Sequence, residues 1–286
     1  MNFINLIRNA ISIESQGQFA GAFNLYNNAM QFSKNPKTLI KLTSRKAWCQ
    51  NQVGNHNEAE NLFNGLISSY PENPESFLET AIYYFKIHEF KKSKNLLTKG
   101  IERFPYFLEF YLTLSYILKE TGRTNESIDI LKKALLQDKL TNGKGGIKKK
   151  DIWAELADLY FERGNYNSCI TSLKKSLRLE DNCEEFQHYS MLAICYLKIN
   201  DPSNALKYID IKIKIYDDRD PEDYTIKARA HAGLGELHLA SSCLLQAYDK
   251  EGFLKLSSED MKDFSKLTQR GFFETIENVI IDNELL

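Results

Sequence analysis

Histidines, cysteines and one glycine-rich segment are the residues of this sequence that could carry catalysis or metal binding. The chain has five histidines and five cysteines, and none has the spacing of a metal site, a disulfide framework or a redox pair. Gly143-Lys144-Gly145-Gly146 has the composition of a phosphate loop, but no Ser or Thr follows the lysine and no strand-like segment precedes it. The sequence therefore predicts no enzyme, no cofactor and no bound metal, and most cysteines are expected to be small core residues.

A run of carboxylates is the other feature that could act on a ligand. Asp151, Glu155, Asp158 and Glu162 follow one another at steps of four, three and four residues, which places them on one face of a helix. Like charges at these spacings mildly destabilise a helix, so a basic ligand would compensate them. The alternative interpretation is a solvated polar face, helped by the helix N-terminus and by neighbouring lysines.

An internal repeat defines the elements that must position these residues. A turn residue, an aromatic or apolar residue two positions later and a small residue five positions later occur together seven times, with an underlying period of 34 residues. The turn residues are Gly17, Gly54, His88, Gly122, Gly164, Asn200 and Gly235. Glycine suits such turns because it accepts positive φ, and His88 and Asn200 are expected in the same conformation.

Three columns of residues keep a fixed distance from these turns. The residue seven before each turn is small: Ala10, Ala47, Ala81, Ser115, Ala157, Ala193 and Ala228. The residue five after it is also small: Ala22, Ala59, Ser93, Ser127, Cys169, Ala205 and Ala240. Nine after each turn comes a large residue, for example Tyr26 or Leu173. The pattern predicts two helices per repeat that approach closely at the small residues, with the large residue filling the space beside them.

The repeat resembles the tetratricopeptide repeat, most plainly at Trp153-x-x-Leu156-Ala157-x-x-Tyr160, followed by Gly164, Tyr166, Cys169 and Leu173. The segment Tyr189-x-x-Leu192-Ala193-x-x-Tyr196 matches in the same way, and the resemblance covers roughly residues 3–252. It implies an all-α, right-handed superhelical solenoid of about seven helix pairs, whose first helices line a concave groove. Gly100 and Lys212 depart from it, because they occupy positions that usually hold alanine.

Two segments fall outside the repeat. Residues 139–150 account for the longer spacing between the fourth and fifth turns and are interpreted as an inserted loop, either solvated or a basic contact surface. Residues 253–286 lack the alanine column, and Ser257 and Gly271 indicate a helix start and a joint. The predicted organisation is therefore a solenoid over 1–252 and two capping helices over 253–286, with a second binding or dimer surface as the alternative for the cap.

In this family the groove-facing stripe of the first helix lies 13, 9, 6 and 2 residues before each turn. The middle three repeats are rich in carboxylates there, whereas the first two carry Arg8, Lys41 and Arg45 and no acid, so the groove is expected to be bipolar. Its aromatic members are expected to anchor a partner or to pack across adjacent helices. The predicted binding residues are Lys41, Arg45, Trp48, Glu75, Glu79, Glu109, Tyr116, Glu120, Asp151, Glu155, Asp158 and Glu162.

Bulk composition limits the classes of partner. The chain of 286 residues carries 37 Lys and Arg against 38 Asp and Glu, so no overall basic field would collect nucleic acid or an anionic membrane. A secretory signal and a long apolar segment are both lacking, which predicts a cytoplasmic protein. The resulting function is a non-enzymatic scaffold that holds a protein segment, Lys/Arg-rich by the groove charges. An obligate subunit of a larger complex and, more distantly, an enzyme or a regulatory sensor of peptides are the alternatives.

Overall fold

Asn-Pro and Asp-Pro steps start three of the helices. Asn35, Asn73 and Asp220 are N-caps whose side chains accept a hydrogen bond from a backbone N–H of the first turn. A proline follows each of them at the start of the helix, where its missing N–H costs nothing. These signals fix where the first helices of three repeats begin.

The computed structural model describes residues 2–140, 149–179, 187–216, 220–275 and 279–282. The chain divides into two compact units, Met1–Lys148 and Lys149–Leu286. The first unit contains four helix pairs, and each helix contacts its partner within the pair. Its helices are α1 (Phe3–Ser15), α2 (Phe19–Met30), α3 (Pro36–Gln52), α4 (His56–Ser69), α5 (Pro74–Lys86), α6 (Phe90–Arg103), α7 (Glu109–Glu120) and α8 (Thr124–Leu140).

The second unit contains three further pairs and a C-terminal segment that is not part of a pair. The paired helices are α9 (Lys149–Glu162), α10 (Tyr166–Leu177), α11 (Gln187–Lys198), α12 (Pro202–Tyr216), α13 (Pro221–Gly233) and α14 (Leu237–Glu251). The C-terminal segment contains β1 (Leu254–Ser257), α15 (Ser258–Asp263), α16 (Ser265–Gln269), a 3-10 helix (Phe272–Thr275) and β2 (Val279–Asp282). Described residues thus account for the seven predicted pairs.

The predicted turns connect the two helices of each pair. All five glycines at these positions have positive φ, between 67° and 87°. His88 (φ 63°) and Asn200 (φ 58°) adopt the same left-handed conformation and are the non-glycine residues that do so in the described part of the chain. The alignment of the third and sixth repeats is therefore confirmed.

The three columns form the core of the helix pairs. Every residue of the two small columns has no exposed surface, and the large residues nine after the turns are at most 2% exposed. Ala157, Cys169 and Leu173 belong to one buried cluster together with Ala193 and Ala205 of the next pair. The predicted close approach of the helices at these levels is confirmed.

Enlarging a small-column residue is expected to destabilise the stack. Ala157→Leu and Ala193→Leu would each insert a larger side chain at a position with no free surface, and the expected loss in free energy of unfolding is about 1 to 3 kcal/mol. Urea denaturation followed by far-UV circular dichroism measures it. Ala20→Leu on the exposed side of α2 is the control. Wild-type stability of both core variants would contradict the packing register.

Gly100 and Lys212 replace the alanine that is usual at their position of the repeat, and the structure gives each a different physical reason. A Cβ atom on Gly100 would come within 2.7 to 2.9 Å of three ring atoms of Phe110, so the fully buried ring occupies the space that alanine would fill. Lys212 is buried and its Nζ lies 2.5 Å from Oδ2 of Asp223, on the helix that follows. One departure is steric compensation and the other is a buried ion pair.

The bounds of the predicted loop need correction. Residues 139 and 140 belong to α8, and residues 149 and 150 belong to α9, because both helices extend further than the repeat pattern indicates. The Gly-Lys-Gly-Gly segment and Lys148 lie outside the described residues.

The C-terminal segment contains short helices, as predicted, but α15 and α16 both precede Gly271, and the 3-10 helix and β2 follow it in place of the predicted second helix. The two strands were not indicated by the pattern. Ser257 caps α15 in a capping box with Asp260, and Gly271 has a φ of 69°, in agreement with the predicted helix start and joint. The strands β1 and β2 pair in parallel, with Leu254 opposite Val279. The boundary at 252/253 between solenoid and cap stays a prediction.

The C-terminal segment covers the core of the last pair. Phe264 and Leu267 are buried in one cluster with Leu244 of α14. Phe272, Phe273 and Val279 pack against this cluster, whereas Ile276 and the side chain of Ile280 lie outside the described residues. The capping role of these apolar residues is therefore observed for the described ones.

Candidate peptide-binding faces

The twelve predicted binding residues lie on the first helices of the pairs: on α3, α5 and α7 in the first unit and on α9 in the second. Neighbouring first helices contact one another, α3 with α5 and α5 with α7, so stripe residues of successive pairs can interact. Side-chain contacts cross from α1 to α3, from α3 to α5 and from α5 to α7. Each unit therefore presents its own first-helix face.

The basic end of the first unit contains an acid that the stripe did not indicate. Glu14 of α1 accepts a hydrogen bond from Arg45 (2.9 Å between Nη1 and Oε2) and another from the Tyr26 hydroxyl. Burial, together with the bond to Glu14, raises the pKa of Tyr26 well above its ordinary value. The side chain of Arg45, a predicted binding residue, is consequently held in place by Glu14, which lies outside the stripe.

Two carboxylates of the stripe lie near Lys37, a residue of α3 outside the stripe. Lys37 Nζ lies 2.6 Å from Oε1 of Glu75, while Oε2 of Glu75 and Oε2 of Glu109 are buried and have no hydrogen-bond donor among the described residues. Burial raises the pKa of Glu109, against the opposing effects of its own backbone N–H and of Lys37. The first turns of α5 and α7 thus hold carboxylate oxygens with unused acceptor capacity.

Aromatic and polar contacts continue along the same face. Ser44 donates a hydrogen bond of 2.5 Å to Glu79, and Lys86 Nζ lies 4.8 Å from the ring centroid of Trp48. Tyr116 meets Phe85 edge to face at 5.4 Å between ring centroids and still exposes 48% of its surface. Packing across adjacent helices therefore occurs, and it leaves Tyr116 accessible. Lys41 and Glu120 are exposed on the same first helices.

The four clustered carboxylates of the second unit all belong to α9. Asp151 lies in the first turn of this helix, where the positive end of the helix dipole stabilises a carboxylate. Asp151, Glu155 and Asp158 are half-buried and Glu162 is exposed. The helical spacing predicted for these residues is confirmed, and their role in binding stays a prediction.

One stripe residue of the seventh pair, Arg229, is covered by the C-terminal segment, which the sequence did not indicate. Arg229, a stripe residue of α13, is only 8% exposed and makes ion pairs with Glu259 (3.0 Å), Asp260 (2.9 Å) and Asp263 (2.7 Å). Glu259 also pairs with Lys198 of the preceding stripe. Although burial opposes it, the bond from Lys198 and the charge of Arg229 hold the pKa of Glu259 below its ordinary value.

Over the described residues, no group of three or more His, Cys, Asp or Glu side chains is arranged to hold a metal ion. Four cysteines, at 49, 169, 195 and 243, are free and buried, while Cys183 lies outside the described residues. None of the helices in the described ranges combines the length and apolarity needed to span a membrane.

Comparison with known proteins agrees with this architecture. The family described as Tetratricopeptide repeat matches residues 108–139 and 151–183. No curated protein sequence matches the chain at a significant level. Solved structures of similar fold include YrrB, described as a TPR protein with an unusual peptide-binding site (14% identity over 72% of this chain and 97% of that chain, TM-score 0.57). They also include pilF of Pseudomonas aeruginosa (16% identity over 82% of this chain and 100% of that chain, TM-score 0.56) and MamA (18% identity over 63% of this chain and 92% of that chain, TM-score 0.54).

The helix pairs, their left-handed turns and their first-helix faces define an all-α repeat protein of the solenoid class. The tetratricopeptide-repeat family matches the fourth and fifth helix pairs, and the similar structures have the same fold. Proteins of this family generally mediate protein–protein interactions.

Proposed function

We propose that the chain binds a segment of another protein on its first-helix faces and carries out no catalysis. The observation that carries this proposal is the chain of contacts between successive first helices, which leaves charged and aromatic side chains such as Tyr116 and Lys41 accessible beside a fully packed core. Solenoids keep such a surface because each repeat contacts only its neighbours. The peptide-binding site named for YrrB, a protein of similar fold, supports the same use of the surface.

The charge of α9 favours a Lys/Arg-rich segment as the partner of the second unit. Four carboxylates share one face of this helix, in a chain whose net charge is only −1. Electrostatic complementarity mainly sets specificity and association rate, and salt screens it when the charges are exposed. Binding to this face is therefore expected to weaken as the salt concentration rises.

Charge reversal on α9 tests this proposal. Asp158→Lys combined with Glu162→Lys is expected to weaken binding of a fluorescein-labelled peptide with alternating Lys and Gly by about tenfold, because two attractive contacts become repulsive. Fluorescence anisotropy at 50 and 300 mM NaCl measures the affinity and its dependence on salt. Circular dichroism verifies that the variant remains helical.

A matched control separates the face from the overall charge. Asp249→Lys combined with Glu251→Lys makes the same change in net charge on exposed positions at the end of α14, a second helix. This control is expected to retain nearly the wild-type affinity. Equal weakening by both double variants, or unchanged affinity after the reversal on α9, would mean that the α9 carboxylates only form a solvated face.

A further inference from the structure

The first unit contains an open cavity of about 350 Å³ bounded by α1, α2 and α3. Its apolar wall is formed by Ile7, Leu42 and the fully buried ring of Tyr26. Lys37, Lys41 and Arg45 of α3 line it as well. A cavity of this size is at the lower end of the range for ligand pockets, so it suits one or two side chains of a peptide.

The surface of α1 carries two exposed isoleucines. Ile4 and Ile11 expose 58% and 42% of their surface, and exposed Arg8 lies between them at helical spacing. All three belong to the stripe that the repeat assigns to the first helix, and Ile7 of the same helix lines the cavity. Large aliphatic side chains that stay accessible beside a cavity are typical of an interaction surface.

Of the four cations at or near the cavity, two form ion pairs within the part of the protein that the structure describes and two do not. Lys37 is paired with Glu75, and Arg45 is paired with Glu14. Among the described residues, no carboxylate lies within ion-pair distance of Arg8 or Lys41. Lys41, which lines the cavity, and Arg8, which follows the cavity residue Ile7 in the sequence, therefore remain accessible cations that would attract carboxylates.

We propose that this surface, formed by Ile4, Arg8, Ile11, Lys41 and the cavity, binds an acidic peptide segment with an apolar anchor. The anchor, a Leu, Ile or Phe side chain, enters the cavity, while carboxylates beside it in the peptide pair with Arg8 and Lys41. The apolar wall and the exposed isoleucines favour a peptide over a nucleic acid, which has no aliphatic group to bury. This site rests on the proposed use of the first-helix faces, but it lies in the first unit and selects the opposite charge from the α9 face.

The test uses the chain of 286 residues and three labelled peptides. The probe carries Asp-Glu-Leu-Phe-Asp-Glu, the second peptide replaces Leu-Phe by Ser-Ser, and the third replaces the acids by lysine. The wild-type protein is expected to bind the probe at least tenfold more tightly than the Ser-Ser peptide. Equal binding of these two peptides would overturn the proposal, because the cavity would then contribute nothing.

Two double variants examine the cations and the isoleucines separately. Arg8→Glu with Lys41→Glu is expected to weaken binding of the probe more than tenfold and to reduce its salt dependence. Ile4→Ser with Ile11→Ser is expected to weaken it about fivefold without changing the salt dependence. The control, Lys91→Glu with Lys99→Glu on exposed positions of α6, makes the same charge change as the first variant and is expected to bind normally.

The outcomes distinguish this site from the α9 face. The Arg8 and Lys41 variant is expected to retain binding of the alternating Lys and Gly peptide, and the Asp158 and Glu162 variant is expected to retain binding of the acidic probe. Unchanged probe affinity in the Arg8 and Lys41 variant would overturn the proposed site without touching the α9 proposal. Self-association of the wild-type protein that the isoleucine variant abolishes, seen by sedimentation, would identify a second copy of the chain as the occupant and would also overturn it.

Discussion

Replacing Lys212 by methionine is expected to lower the free energy of unfolding by about 3 to 5 kcal/mol. Lys212 and Asp223 are both almost fully buried, and Ser190 donates a hydrogen bond of 2.8 Å to the other oxygen of the same carboxylate. Methionine keeps the approximate length of the side chain but removes the charge, which leaves the Asp223 carboxyl group without a cation in a buried site that water cannot hydrate. Urea denaturation at neutral pH, followed by far-UV circular dichroism, measures the loss.

Two further variants separate the ion pair from the volume of the side chain. Lys214→Met, on an exposed position of the same helix, is expected to change stability by less than about 0.5 kcal/mol. Lys212→Met combined with Asp223→Leu removes both charges and is expected to recover more than half of the loss, because apolar replacement of a complete buried pair is often neutral. A single variant as stable as the wild type would show that the pair does not stabilise the fold.

The sequence predicts the helix pairs well because their determinants are local and repeated. A turn such as His88 is recognised by its distance from small residues like Ala81 and Ser93, even though histidine rarely takes positive φ. The same distances identify the buried columns, since two helices can approach closely only where every repeat has a small side chain. Seven occurrences of one pattern compensate for the weakness of each single signal.

Compensating contacts could not be predicted, because they depend on positions that vary from repeat to repeat. The ring that fills the space at Gly100 comes from Phe110 in the next helix, and the partner of Lys212 is on α13. Likewise, β1 has only four residues, and its pairing with β2 joins segments with no common pattern. Short strands of this kind gain their stability from tertiary context.

The sequence predicts which residues share the exposed face of a first helix, but it does not predict which side chains those residues contact. Counting from the turns selects Arg45 and Glu75, but their partners Glu14 and Lys37 lie beside the stripe and are identified only in three dimensions. The counting also treats the last repeat like the others. It therefore placed Arg229 on an open groove, whereas the C-terminal segment covers this side chain.

Arg229→Leu is expected to destabilise the second unit by about 2 to 4 kcal/mol. The guanidinium group pairs with three carboxylates, and its removal leaves Asp260, whose side chain is 13% exposed, without a cation. Glu259 and Asp263 are 41% and 38% exposed, so water hydrates them and the loss is smaller than for a completely buried group. The measured quantity is again the free energy of unfolding in urea.

Limited trypsin digestion shows which part of the chain becomes less stable when Arg229 is replaced. Because Arg229 joins α13 to α15, the variant is expected to be cleaved first in the C-terminal segment, at the exposed Lys255, Lys262 or Lys266, several-fold faster than the wild type. Arg270→Leu removes an exposed arginine of the same segment, and with it a trypsin site, and is expected to leave stability and the cleavage rate at the three lysines unchanged. Equal effects of the two substitutions would mean that the ion pairs of Arg229 do not fasten the segment. In that case the buried apolar residues Leu256, Phe264 and Leu267 would hold it in place by themselves.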